Sequence, residues 1–365
     1  MQNKVGHIIG TISRTVLGLT FLFSGIVKAI DPLGTTYKIE DYLKAFGGVF
    51  TNLLPAAEPA AFVLITIEVV LGLCLLMHIK TKWTSWLTLA FMAVMTPLTL
   101  YLALTNPVSD CGCFGDAVVL TNWQTFWKNI VLLVLVIVLL CTKRFSEPIW
   151  VGAFEAVVAV TGATATVLFM VWTLYHLPVK DFRPYKIGNH IPTLMEFPDD
   201  AETDRYEIKF VYEKDGQKQT FSLADYPKND SSWTFVDQQS VLVKKGYEPP
   251  IHDFELMSLD YEDLTYDILE SEEPVTLAVM YDLKKADRKQ MTKLEAIRAK
   301  CEQNGRMFYI LTGSGEQEIE DFGFFPREVF LNCDPVTLKT IVRANPGIIV
   351  VQNGTIIEKY NVRNL

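Results

Sequence analysis

Cysteine is scarce in this chain, six residues of 365, which excludes a fold scaffolded on disulfides. No arginine-rich or aromatic-interleaved basic stretch occurs, and a formal net charge of −9 repels phosphate, so a nucleic-acid partner is set aside. Histidine is rarer still, with five, and none lies near the only closely spaced thiols, Cys111 and Cys113. Zinc normally takes four ligands, so no metal site is assigned there from sequence. Charge is missing from long stretches of the first half. Residues 1–178 carry 10 Lys and Arg and 9 Asp and Glu, against 23 and 33 in residues 179–365. Apolarity is concentrated before Leu177, which predicts a membrane part followed by an acidic, soluble part.

Runs able to cross ~30 Å of hydrocarbon at ~1.5 Å per residue occur five times. They lie near 8–30, 60–79, 83–104, 123–142 and 150–177. The first contains Arg14 and meets no small-residue cleavage site before Asp31-Pro32, so it reads as a retained span, not a signal peptide. Lys4, Lys80, Lys82, Lys143 and Arg144 fall on one side, the expected cytoplasmic one. The loop 105–122 has no basic residue, which agrees; Lys38 and Lys44 in the loop 31–59 do not. Five spans that start inside finish outside. The cysteine loop and the soluble part are therefore expected together in the periplasm, outside a bacterial inner membrane, where disulfides persist. Trp123 and Trp127 read as outer interfacial anchors, and Trp83, Trp86 and Trp150 as inner ones.

Charges inside spans need partners or water. Arg14, Glu68 and Glu155 are the intramembrane polar residues, and either acid is a candidate partner for Arg14. A structural ion pair and a proton or quinone site both remain open. Pro97 removes a backbone hydrogen bond within the third span. Gly152, Ala156, Ala159, Ala163 and Thr166 form a small-residue face on the fifth, expected to pack against the bundle.

The loop Asp110-Cys111-Gly112-Cys113-Phe114-Gly115-Asp116 carries the most chemistry. Cysteines two apart can close a small, strained ring, and strained disulfides suit exchange. Gly112 and Gly115 ease the turns. Exchange needs thiolate, favoured by cations and opposed by carboxylates. Asp110 and Asp116 work against activation, while Lys28 and Lys128 are the candidate supporting cations. A static disulfide, a metal half-site completed from elsewhere, and inert thiols remain as alternatives.

The stretch Arg14-Thr15-Val16-Leu17-Gly18-Leu19-Thr20-Phe21-Leu22-Phe23-Ser24-Gly25-Ile26-Val27-Lys28, with Glu68 and Cys111-Gly112-Cys113-Phe114-Gly115, resembles the DoxX/MauE group of membrane proteins over about residues 5–142. The resemblance implies a four-helix membrane bundle (1–145), associated with quinone-linked sulfur oxidation or with disulfide maturation of periplasmic enzymes. The cysteine loop points to the MauE branch. A fifth span (146–178) is an addition that carries the chain to its soluble part.

Four prolines in 178–200 predict an extended tether. Within a β-rich segment (179–246), Tyr206–Tyr212 and Gln219–Leu223 alternate about Asp215-Gly216, a hairpin signal, and 233–243 adds strand-like sequence. From 247 to 365, strand-like runs at 275–281, 306–312, 347–352 and 355–360 alternate with helical stretches at 286–303 and 335–343. Asn353-Gly354 should join the last two strands. This order resembles the TlpA-like branch of the thioredoxin fold, with Ile251–Leu256 as the entry strand and Pro346 at the place of the cis-proline. Where that family carries Cys-x-x-Cys, this chain reads Asp282-Leu283-Lys284-Lys285. The module is therefore expected to bind rather than to exchange. Cys301 and Cys333 are a further pair to place.

These readings support a thiol-disulfide exchanger in which Cys111 and Cys113 act on a periplasmic client or thioredoxin-like partner protein, with electrons passing through a quinone. A nonenzymatic scaffold or assembly factor that docks a partner through its thioredoxin-like module is the alternative. Transport through the bundle rests only on Arg14, Glu68 and Pro97.

Overall fold

The computed structural model describes residues 2–108, 110–142, 152–228, 230–244 and 246–365. Lys143, Arg144 and Trp150, on which the orientation reading partly leans, lie outside them. The described residues include five helices long and apolar enough to cross a membrane, at Val5–Ile30, Gly48–Leu76, Thr81–Thr105, Asn122–Cys141 and Ala153–Tyr175. They belong to α1 (Gln2–Ile30), α3 (Ala57–Leu76, led by a 3-10 turn over Gly48–Ala56), α4 (Thr81–Thr105), α5 (Asn122–Cys141) and α6 (Ala153–Tyr175). The chain is a multi-pass membrane protein.

The stretch 31–59, read as a loop, contains α2 (Pro32–Phe46). Its signals are local. Asp31 accepts from the Gly34 amide as N-cap, Pro32 occupies the first turn where its missing N–H costs nothing, and Gly47 ends the helix at φ 64°.

α1 and α3 approach closely because glycines face each other's backbones. A Cβ on Gly72 would stand 2.5 Å from Leu22 N, and one on Gly25 would stand 2.6 Å from a Val69 methyl. Hydrocarbon offers no hydrophobic drive between helices, so such contact is what brings them together. α6 packs on α3, with Gly162 against Leu73 and Met170 in a buried cluster with Ile65. The small-residue face is thus rotated from the expected one, and Gly152 and Ala156 are exposed.

Beyond the spans, a six-stranded sheet is ordered β4-β7-β6-β5-β8-β9. Its strands are β4 (Met257–Ser258), β5 (Val275–Val279), β6 (Phe308–Thr312), β7 (Phe330–Asn332), β8 (Gly347–Gln352) and β9 (Thr355–Asn361). The β5, β6 and β7 strands run parallel, while β8 is antiparallel to both β5 and β9. Every residue of β5 is buried, as a strand covered on both faces requires. One face is covered by α7 (Thr265–Leu269) and α10 (Pro335–Ile341), the other by α8 (Met291–Gln303) and α9 (Glu316–Phe322). Asn353 and Gly354 take positive φ in the β8–β9 turn, as their sequence predicts.

Two expectations change. Ile251–Leu256 forms no strand; Ile251, Phe254 and Leu256 instead plug the core from irregular backbone. The stretch 178–195 is no free tether, because Tyr185 and Ile191 are buried in the sheet's core and Ile191 N donates to Gly354 O. The hairpin pairs with the strand-like run expected at 233–243, giving a separate sheet β2-β1-β3 from β1 (Arg205–Lys214), β2 (Gln217–Ser222) and β3 (Thr234–Lys244). This sheet is an insertion, since Ile251 N donates to Leu194 O across its base.

Candidate functional site

The cysteine loop is tied at its base. Asn122, in the first turn of α5, donates to Asn106 Oδ1 and to the Val108 carbonyl, both at 2.8 Å. Asp110 then folds back, accepting from Gly112 N at 2.8 Å and from Lys38 of α2 at 2.7 Å. Gly112 and Gly115 have φ of 63° and 52°, the left-handed region that favours glycine, so both turns need it. Tyr42 of α2 donates to the Cys111 carbonyl.

Within that frame Cys111 and Cys113 are free thiols with their sulfurs 2.9 Å apart. Their environments differ. Contact with Cys111 brings the Cys113 thiol down, against burial and with help from Lys128 and Lys28. The same contact pushes Cys111 up, and burial adds to the shift.

Both predicted cations stand at the site. Lys28 and Glu68 form a buried ion pair at 2.6 Å, and Ser24 Oγ lies 2.8 Å from Glu68 and 2.6 Å from the Cys113 carbonyl. Lys128 sits 4.4 Å above the Phe114 ring, which packs against Phe23. Cys113, Lys28, Glu68 and Lys128 line one recess of about 30 Å³ between α1, α3, α4 and α5. Neither acid meets Arg14. Arg14 contacts His78 at 2.5 Å, and Glu155 pairs with Lys80 at 3.1 Å. The intramembrane acids thus belong to two places, Glu68 to the cysteine site and Glu155 to the opposite end of the bundle.

A quinone does not fit this recess, which has room for about one water. A groove of about 450 Å³ between α3 and α4 is wide enough for an apolar chain. Its one polar residue, Thr66, donates to the Phe62 carbonyl, and Phe91 lines both the groove and the recess.

Cys301 and Cys333 are not a pair. They are buried in the clusters on opposite faces of the sheet. Among the described residues no group of His, Cys, Asp or Glu is arranged to hold a metal. Pro346 follows a cis Asn345–Pro346 peptide at the edge facing the membrane part. Ser24, Tyr42 and Lys38 escaped the sequence reading. Ser24 had a signal, standing one helical turn before Lys28.

These features define a multi-pass membrane protein with two adjacent free thiols on a loop tied to α2 and α5. Residues 6–142, which hold the first four spans, are similar to the family model described as methylamine utilisation protein MauE. Residues 206–245 match one described as a domain of unknown function (DUF8463), coincident with the inserted sheet. No curated protein and no solved structure matches the chain.

Proposed function

We propose that the protein is a membrane thiol-disulfide exchanger acting through Cys111 and Cys113. The observation that carries this reading is the geometry of the pair, two free thiols 2.9 Å apart with Lys28 and Lys128 lining the recess that Cys113 also lines. The Cys113 thiolate attacks a client disulfide, forming a mixed disulfide and expelling one client thiolate. Cys111, losing its proton, then attacks the Cys113 sulfur, releases the second client thiolate and leaves the Cys111–Cys113 disulfide. The client is reduced by two electrons and the pair is oxidised by two. Run backwards, the same steps oxidise a client dithiol.

The reading places the loop and the C-terminal sheet in the periplasm of a bacterial inner membrane, with the N-terminus cytoplasmic. Lys80 and Lys82, at the other end of the bundle, support it. The C-terminal module is read as thioredoxin-like, supported by the β7-β6-β5-β8-β9 order and the position of Pro346. Its lack of thiols at 282–285 favours a second role as a scaffold that holds a partner.

Thiol alkylation of the purified protein across graded glutathione buffers tests the exchange. A pair that titrates within the range of exchange-active couples, ~−120 to −270 mV, is the expected result. Cys111→Ser should accumulate mixed disulfides and Cys113→Ser should form none. A pair that stays oxidised far below that range, or thiols that never oxidise, would overturn the reading and leave the scaffold.

A further inference from the structure

The edge of the C-terminal module that carries Pro346 is already occupied. Arg343, three residues before it, is buried, and it crosses to the membrane domain. Its Nε donates to Asp31 Oδ2 at 2.8 Å, its Nη2 lies 3.3 Å from Asp116 Oδ2, and its Nη1 donates to the Lys339 carbonyl. Asp31 is the N-cap of α2, and Asp116 stands three residues after Cys113 in the cysteine loop. Beside this clasp the guanidinium lies 5.2 Å from the centroid of the Tyr37 ring, and Lys339 lies 4.8 Å from it. The Tyr37 hydroxyl in turn donates to that of Tyr281 at 3.3 Å, next to the 282–285 stretch that lacks thiols.

The chain also crosses the loop before entering the module. Gly112, Gly115 and Asp116 face Pro178, Asp181 and Arg183 across a cleft of only about 20 Å³. Asp181 is held there by Arg183 at 2.8 Å and by Lys359 of β9 at 2.6 Å, which joins this crossing to the sheet. Buried ions of this kind hold only while every charge keeps its partner, because loss of one leaves an uncompensated charge.

We propose that the Arg343 edge of the C-terminal module is an interaction surface whose partner is the chain's own cysteine loop, closing Cys113 to bulky water-soluble molecules while the clasp between Arg343, Asp31 and Asp116 is made. A folded client reaches the thiols only when the clasp opens. This goes beyond the exchange reading and does not need it, since an inert thiol pair is shielded equally.

The test uses the full-length, reduced protein in lipid nanodiscs, labelled at Cys113 with N-ethylmaleimide and, separately, with a long polyethylene-glycol maleimide. The readout is the ratio of the bulky to the small rate, because a change in thiol reactivity moves both together. Wild type should show a low ratio. Arg343→Gln, and independently the double variant Asp31→Asn with Asp116→Asn, should raise it about tenfold by populating the open form. The double variant leaves the C-terminal module untouched, so it decides the matter if Arg343→Gln fails to fold. A wild-type ratio already equal to that of the denatured protein, or clasp variants that keep the wild-type ratio, would overturn the proposal.

Discussion

Two lysines and a neighbouring thiol act on a single sulfur at Cys113, and this balance is measurable. The thiolate is the reactive form, so alkylation of reduced Cys113 should rise with pH through an inflection below that of an ordinary thiol and level off above it. Lys128→Met removes one of the cations that hold the thiolate, so the inflection should move upward, read by mass spectrometry of the labelled peptide. An inflection that stays in place would remove Lys128 from the site. Spacing singled out the two thiols, and place along the predicted spans offered Lys28 and Lys128 as the cations to look for beside them. The partner of Glu68 was not legible. Counting rise along the helix gives depth in the membrane but not which way a side chain faces, and Arg14 faces His78 while Lys28 faces Glu68.

At the scale of elements, the site depends on how closely α1 and α3 pack. Gly72→Val places a side chain against the Leu22 backbone, which cannot yield, so the helices must part. A loss of ~1–3 kcal/mol is expected from overpacking, read by thermal unfolding in nanodiscs. Gly162→Val, which meets only the tip of Leu73, should cost less. Equal losses would mean that the α1–α3 approach is not what orders the bundle. Hydropathy located the spans and alternation located β1, β5, β6, β8 and β9, because these periodic signals extend over whole elements. It missed α2, whose evidence lies in the end signals Asp31-Pro32 and Gly47, and β7, whose three residues are too few to show a period.

Over the whole molecule, the inserted sheet and the C-terminal core are separable by their contacts. Excising residues 197–248 and bridging Glu196 to Pro249 with a short glycine linker should leave the core folded, since Leu194 and Ile251 are already hydrogen-bonded. Cys333, buried in that core, should then stay as protected from alkylation as in the full chain. Rapid labelling would show that the insert supports the fold. By itself the sequence determined what local pattern can carry: the number of spans, the β-hairpins, a thiol pair among glycines and the absence of a second one at 282–285. The tertiary structure alone decided that Arg343 meets Asp31 and Asp116, and that 178–195 belongs to a core rather than to a tether. Those outcomes rest on side chains brought together from opposite ends of the chain, Asp31 and Arg343 being 312 residues apart, and no periodicity or local propensity encodes such a meeting.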